Sequence, residues 1–102
     1  MQTVRLFLNC SGPSNVWDAL RAVGHSEASL VNNPQIVAWV AKRNHIQNFR
    51  SIREGTCVEL PIACEAHRVI AKVSENPGKY GEALQRVYSD MRDHFGGRKR
   101  TC

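Results

Sequence analysis

A chain of 102 residues has room for one domain, or for one small domain with an appendage. With 42% hydrophobic and 23% charged residues it does not have a disordered composition, and no stretch approaches the roughly 20 apolar residues of a membrane-spanning helix. A net charge of +5 and a pI near 9.4 point toward anionic partners such as nucleic acid, acidic cell-wall polymers or acidic protein faces, with solubility alone as the other reading.

Thr3 to Asn9 alternates Val4, Leu6 and Leu8 with Arg5, Phe7 and Asn9, which predicts a strand. Met1 to Asn9 lacks the long apolar core and small-residue cleavage site of a secretory signal, so cytoplasmic synthesis is expected. Cys10 to Ser14 breaks the strand through Gly12 and Pro13. A first helix follows from about Asn15 to Val23. Ser14 is its expected cap, Val16, Ala19, Leu20 and Val23 form its buried stripe, and Gly24 ends it.

Gly24 to Asn32 reads as a polar link. Asn33 and Pro34 open a second helix running to Arg43, with Ile36, Val37, Val40 and Ala41 on its buried face. Asn44 to Asn48 is a loop and Phe49 to Arg53 a helical turn. Thr56 to Leu60 is a second strand closed by Pro61. Apolar residues from Ala66 to Val73 and from Tyr80 to Phe95 keep a helical rhythm on either side of Asn76-Pro77-Gly78. Gly96-Gly97 closes the last helix and leaves a short basic tail. The expected fold class is therefore α+β, with a two-stranded antiparallel sheet.

Strand, helix, helix, strand within about 60 residues, closing on Ile52-Arg53-Glu54-Gly55-Thr56-Cys57-Val58-Glu59-Leu60-Pro61, resembles the LysM family. Ser14-Asn15-Val16-Trp17-Asp18-Ala19-Leu20 is similar to the family's Asp-Thr-Leu-Trp opening of its first helix. The resemblance implies a LysM-like βααβ module over residues 1–62, a helical extension over 63–96 and a basic tail over 97–102. It also implies a groove for N-acetylglucosamine polymers between two loops, formed by Gly12, Pro13, Ser14 and Asn15 with Asn44, His45, Ile46, Gln47 and Asn48. Amide and hydroxyl groups beside a small apolar floor suit an acetamido sugar. Pro13-Ser14-Asn15 replaces the family's Gly-Asp-Thr in that first loop, a change that bears on ligand more than on fold.

Other residues point elsewhere. Trp39, Tyr80, Tyr88 and Phe95 are candidate aromatic anchors for a protein interface, with Arg98, Lys99 and Arg100 steering acidic partners; packing of Trp39 under the last helices is the alternative. Ala38 to Ile52, with Lys42, Arg43, Arg50 and Arg53, hints at a helix-turn-helix DNA reader. Cys64 and His67 stand three apart on a predicted helix without a second ligand pair, so neither a metal nor a cofactor is expected. Cys10 and Cys57 fall on the two predicted strands, where an oxidising environment would allow a bridge. No paired carboxylates and no Cys–His nucleophile with an orienting residue mark an active site. The leading expectation is a non-catalytic assembly protein, as in small bacteriophage tail and baseplate components of the virion. Peptidoglycan binding follows, and nucleic-acid binding comes third.

Overall fold

The computed structural model describes residues 1–95. Strand β1 (Thr3–Phe7) and strand β2 (Cys57–Pro61) pair antiparallel, with Val4 opposite Leu60 and Leu6 opposite Val58. Between them run helices α1 (Val16–Ala22), α2 (Glu27–Asn32) and α3 (Pro34–Arg43) and a single 3-10 turn at Phe49–Ser51. A second 3-10 turn at Ala63–Glu65 leads into α4 (Ala66–Glu75) and α5 (Pro77–Phe95). The chain is thus α+β with a two-stranded antiparallel sheet, and the rest of the regular structure of the described residues is helical.

Local chemistry explains the helix boundaries. Asn15, rather than Ser14, caps α1: its Oδ1 accepts the Asp18 amide at 2.8 Å. The link after Gly24 is not irregular, because Ser26 Oγ accepts the Ser29 amide at 3.0 Å and starts α2, which buries Leu30. Asn33 does not cap α3 with its side chain; that amide donates back to the Ser29 carbonyl at 3.0 Å, and Pro34 begins the helix. Gly24 sits at φ +105°, where a Cβ would also meet the Ala63 methyl at 3.0 Å, so only glycine fits this turn.

Helix α3 is the centre of the packing. Ile36 to Ala41 are all buried, and an apolar surface that runs around a helix needs neighbours on several sides. It has them: α5 and α4 on one flank, β2 and α2 on others. Val69, Val73, Tyr80, Val87 and Met91 join Leu8, Val16, Leu20, Val58 and Leu60 in one contiguous cluster, so the last two helices share the core of the first half. Trp39 (6% exposed) and Tyr80 (4%) are core residues: Trp39 takes the packed alternative, and Tyr80 is not the exposed anchor expected from the sequence. Cys57 carries a free thiol, so the Cys10–Cys57 bridge is not formed.

The sheet has two unlike edges. Leu8 donates to the Thr56 carbonyl and Ile62 to the Gln2 carbonyl. By antiparallel alternation the even-numbered β1 residues are then the ones bonded to β2, and Glu59 turns its N–H and C=O away from β1. Asn44, just past the end of α3, occupies that outer edge. Its Oδ1 accepts the Glu59 amide at 2.8 Å, and its Nδ2 donates to the Glu59 carbonyl at 2.9 Å and the Val40 carbonyl at 2.8 Å. Two residues further along the strand, Pro61 has no N–H and its carbonyl accepts from Nε2 of buried His25 at 2.7 Å.

Removing the Asn44 amide leaves both Glu59 backbone groups without these partners. Asn44→Ala is expected to cost about 2–3 kcal/mol in urea unfolding, whereas Gln47→Ala, exposed in the same loop, stays within about 0.5 kcal/mol.

Candidate functional site

The two loops carried over from the sequence have different fates. In the first, Asn9 Oδ1 accepts the Ser11 amide at 3.0 Å and the Ser11 hydroxyl at 2.8 Å, while the Asn9 amide donates to the Pro13 carbonyl at 2.9 Å. Gly12 is exposed, Pro13 and Ser14 are half-buried, and Asn15 is buried. Asn15 spends its side chain on helix α1, donating to Asp18 Oδ2 at 3.2 Å as well as capping.

In the second loop, Asn44 is committed to β2 as described. His45, exposed, holds φ +55°. It occupies the left-handed position that closes a helix end, with Ile46 donating to the Ala41 carbonyl at 2.9 Å and His45 to Lys42 at 3.5 Å. The remaining residues face α5. A cavity of about 320 Å³ has Lys42, His45, Ile46 and Gln47 on one side and Lys79, Ala83 and Arg86 on the other. A second cavity, of about 290 Å³, is lined by Gln47, Asn48, Arg86, Ser89 and Asp90, so Gln47 and Arg86 belong to both. The loop Asn44–Asn48 therefore does form one wall of a groove, and the opposite wall of these cavities is α5.

Charge in the larger cavity is unbalanced. Lys42, Lys79 and Arg86 face Glu82 alone among its acidic side chains, and Arg86 is ion-paired with Glu82 one turn away. Ala41, Ile46 and Ala83 give it an apolar floor. Lys79 and Arg86 were not singled out in the sequence. Their spacing with Glu82 and Ala83, at i, i+3, i+4 and i+7, is the signal that marks one helix face.

The aromatic candidates separate in the same way. Tyr88 is 60% exposed and remains available to a partner. Phe95 is half-buried against Trp17, ring centroids 6.4 Å apart. Trp17 also stacks on His94 at 4.8 Å and meets Phe49 at 4.8 Å, so the end of α5 is fastened over the start of α1. Phe7, 62% exposed, is an apolar residue on the outer face of β1, where the strand alternation set it. Arg98, Lys99 and Arg100 lie outside the described residues. So does the rest of the predicted basic tail.

Glu59 joins the sheet to α3 on the outer face. Thr3 Oγ1 donates to its carboxylate at 3.0 Å, and Arg43 Nε and an Arg5 guanidinium nitrogen lie at 3.4 Å and 3.8 Å. Burial raises the carboxyl pKa, but the Thr3 hydroxyl, Arg43 and Arg5 together outweigh it and hold the group below the ordinary carboxylate range. Among the described residues no three His, Cys, Asp or Glu side chains are grouped to hold a metal ion, and no helix is long and apolar enough to cross a membrane. A helix-turn-helix would need a second helix after α3, and the chain instead makes one 3-10 turn and enters β2.

No family model, no curated protein and no solved structure matches the chain.

Two outcomes follow from this geometry. Glu59→Gln lowers stability at neutral pH. Because the folded pKa lies below the unfolded value of about 4.3, the wild-type advantage is intact above that pH and fades as pH falls through the folded value. Thermal unfolding of both proteins from pH 7 down to pH 3 checks it. His45→Gly removes a left-handed non-glycine residue and is expected to raise stability by roughly 1 kcal/mol, read from denaturant midpoints.

Proposed function

We propose that the chain is a non-catalytic assembly module, a LysM-like βααβ frame with a C-terminal helical extension, that works through protein–protein contacts. In this frame β1, α1, α3 and β2 stand for the four family elements and α2 for an addition in the link. Support comes from the order of those elements, from Gly55 at φ +84° in the closing turn, and from Pro61 at the end of β2. Membership of a bacteriophage tail or baseplate rests on the sequence resemblance alone.

The observation that carries the proposal is the cationic groove between the α3–β2 loop and α5. Three cations over an apolar floor, with one acid already paired to Arg86, suit an acidic segment of a partner protein. Exposed Tyr88 on α5 adds an aromatic surface of the kind that anchors interfaces. Peptidoglycan binding has less support, because Asn15 and Asn44, the buried and half-buried amides of the carried-over sugar site, are committed to holding α1 and β2. Duplex DNA has less still, since α3 leads through a 3-10 turn into β2 and not into a second helix that could read a groove.

The test uses poly-glutamate as the acidic probe, with purified peptidoglycan and duplex DNA alongside. The wild-type chain is expected to bind poly-glutamate in a salt-sensitive way. Lys42→Glu with Lys79→Glu should weaken it at least tenfold, while the charge-matched pair Arg68→Glu and Lys72→Glu on α4 leaves most of it. Equal losses from both pairs, or retention on peptidoglycan that the Lys42 and Lys79 changes leave intact, contradicts the proposal.

A further inference from the structure

The open edge of β1 carries an inference that deepens the assembly proposal by naming a partner. The edge of β2 is covered at Glu59 by Asn44, and at Pro61 by His25 and by the missing N–H. Among the described residues the edge of β1 has no such covering. Thr3, Arg5 and Phe7 direct their backbone groups away from β2, and no described residue hydrogen-bonds to them. An exposed row of strand donors and acceptors is a template for another strand.

The inner face tells the same story. Val58 and Leu60 on β2 are completely buried, whereas Val4 and Leu6 on β1 remain half-buried. The helices thus cover β2 fully and leave β1 at the margin of the core. On the outer face Met1 (47% exposed) and Phe7 (62%) are two of the large apolar side chains left in solvent.

We infer that β1 pairs antiparallel with β1 of a second copy of this chain, about a two-fold axis at Val4, to make a continuous four-stranded sheet. In this register Phe7 lies opposite the partner's Met1, and Arg5 lies opposite the partner's Thr3. Thr3 and the partner's Arg5 exchange backbone hydrogen bonds, since both turn those groups to the open edge. Val4 meets the partner's Val4 on the inner face, extending the apolar layer. Shifting the axis to Arg5 sets two guanidinium groups directly opposite each other, which like charges across a strand pair disfavour. In the register centred on Val4 the surface is self-complementary, and each copy covers the other's exposed Met1 and Phe7. An isologous contact of this kind closes on itself as a dimer and leaves no further β1 edge to propagate.

Sedimentation of the full chain tests the pairing. The wild type is expected to dimerise reversibly with concentration. Arg5→Pro removes an outward-facing N–H that β2 does not use, and should weaken the dimer at least tenfold. Arg5→Ala, which keeps that N–H, should leave it intact. If Arg5→Pro does not fold, Phe7→Glu, at an exposed position facing the partner's Met1, should weaken dimerisation by a similar factor. Val4→Cys should add a symmetric disulfide under mild oxidation, because opposed residues at a non-hydrogen-bonded pair approach to disulfide range. A wild type that stays monomeric at high concentration, equal effects of Arg5→Pro and Arg5→Ala, or no crosslink from Val4→Cys overturns the inference. Poly-glutamate binding by Arg5→Pro or Phe7→Glu, which leave the α3–α5 groove untouched, separates a failure of the dimer from a failure of the assembly proposal.

Discussion

The side-chain amide of Asn44 links the end of α3 to β2. A two-stranded sheet has little stability of its own and depends on what packs against it. Here the apolar face of β2 lies on the helical layer, and its outer backbone edge would otherwise be left with an unpaired N–H and C=O at Glu59. Asn44 satisfies both and also returns a bond to Val40, so the strand position and the helix end are set together. Because α3 is the helix on which α2, α4, α5 and β2 converge, the same amide fixes the sheet relative to most of the core. Arg43, the residue before Asn44, extends the link to the Glu59 carboxylate.

That arrangement also shapes the surface. The turn that places Asn44 beside β2 forces His45 into a left-handed conformation and carries Ile46 and Gln47 across to α5, where the cationic groove opens. Sealing β2 leaves the exposure on β1, whose inner residues are only partly covered and whose outer residues include Phe7. The groove and the open edge are thus two consequences of one packing solution, and they lie on different elements. A small chain can in this way expose a groove and a strand edge on separate elements without a long loop or a second core.

Much of this was legible in the sequence, because several elements are signed by residues with a single physical role. Pro34 and Arg43 bounded α3 correctly, since a proline at the first helical position and basic residues in the last turn are both local signals. Strand alternation placed β1, and Pro61 marked the end of β2. What escaped was what depends on tertiary neighbours. Six consecutive buried residues in α3 cannot be told by periodicity from an amphipathic helix, so Trp39 stayed open between surface anchor and packed core. The short helix α2 was hidden by its polar composition, with Leu30 its single buried residue. At the site, Asn44 and Asn15 looked like ligand-binding amides because a structural amide and a recognising amide are the same group; only their partners tell them apart. Lys79 and Arg86 lay on a legible helix face, but nothing in the sequence showed that this face meets the loop at Ile46.

Amide hydrogen exchange at residue resolution tests the central role of Asn44 most directly. At low protein concentration the Glu59 amide, bound by Asn44 Oδ1, is predicted to be protected to nearly the same degree as the Val58 amide within the ladder, although it faces away from β1. The Arg5 amide, which faces the opposite and open edge, is predicted to exchange far faster. Glu59 exchanging as fast as Arg5 would contradict the account, because β2 would then lack the seal on which its attachment to α3 depends.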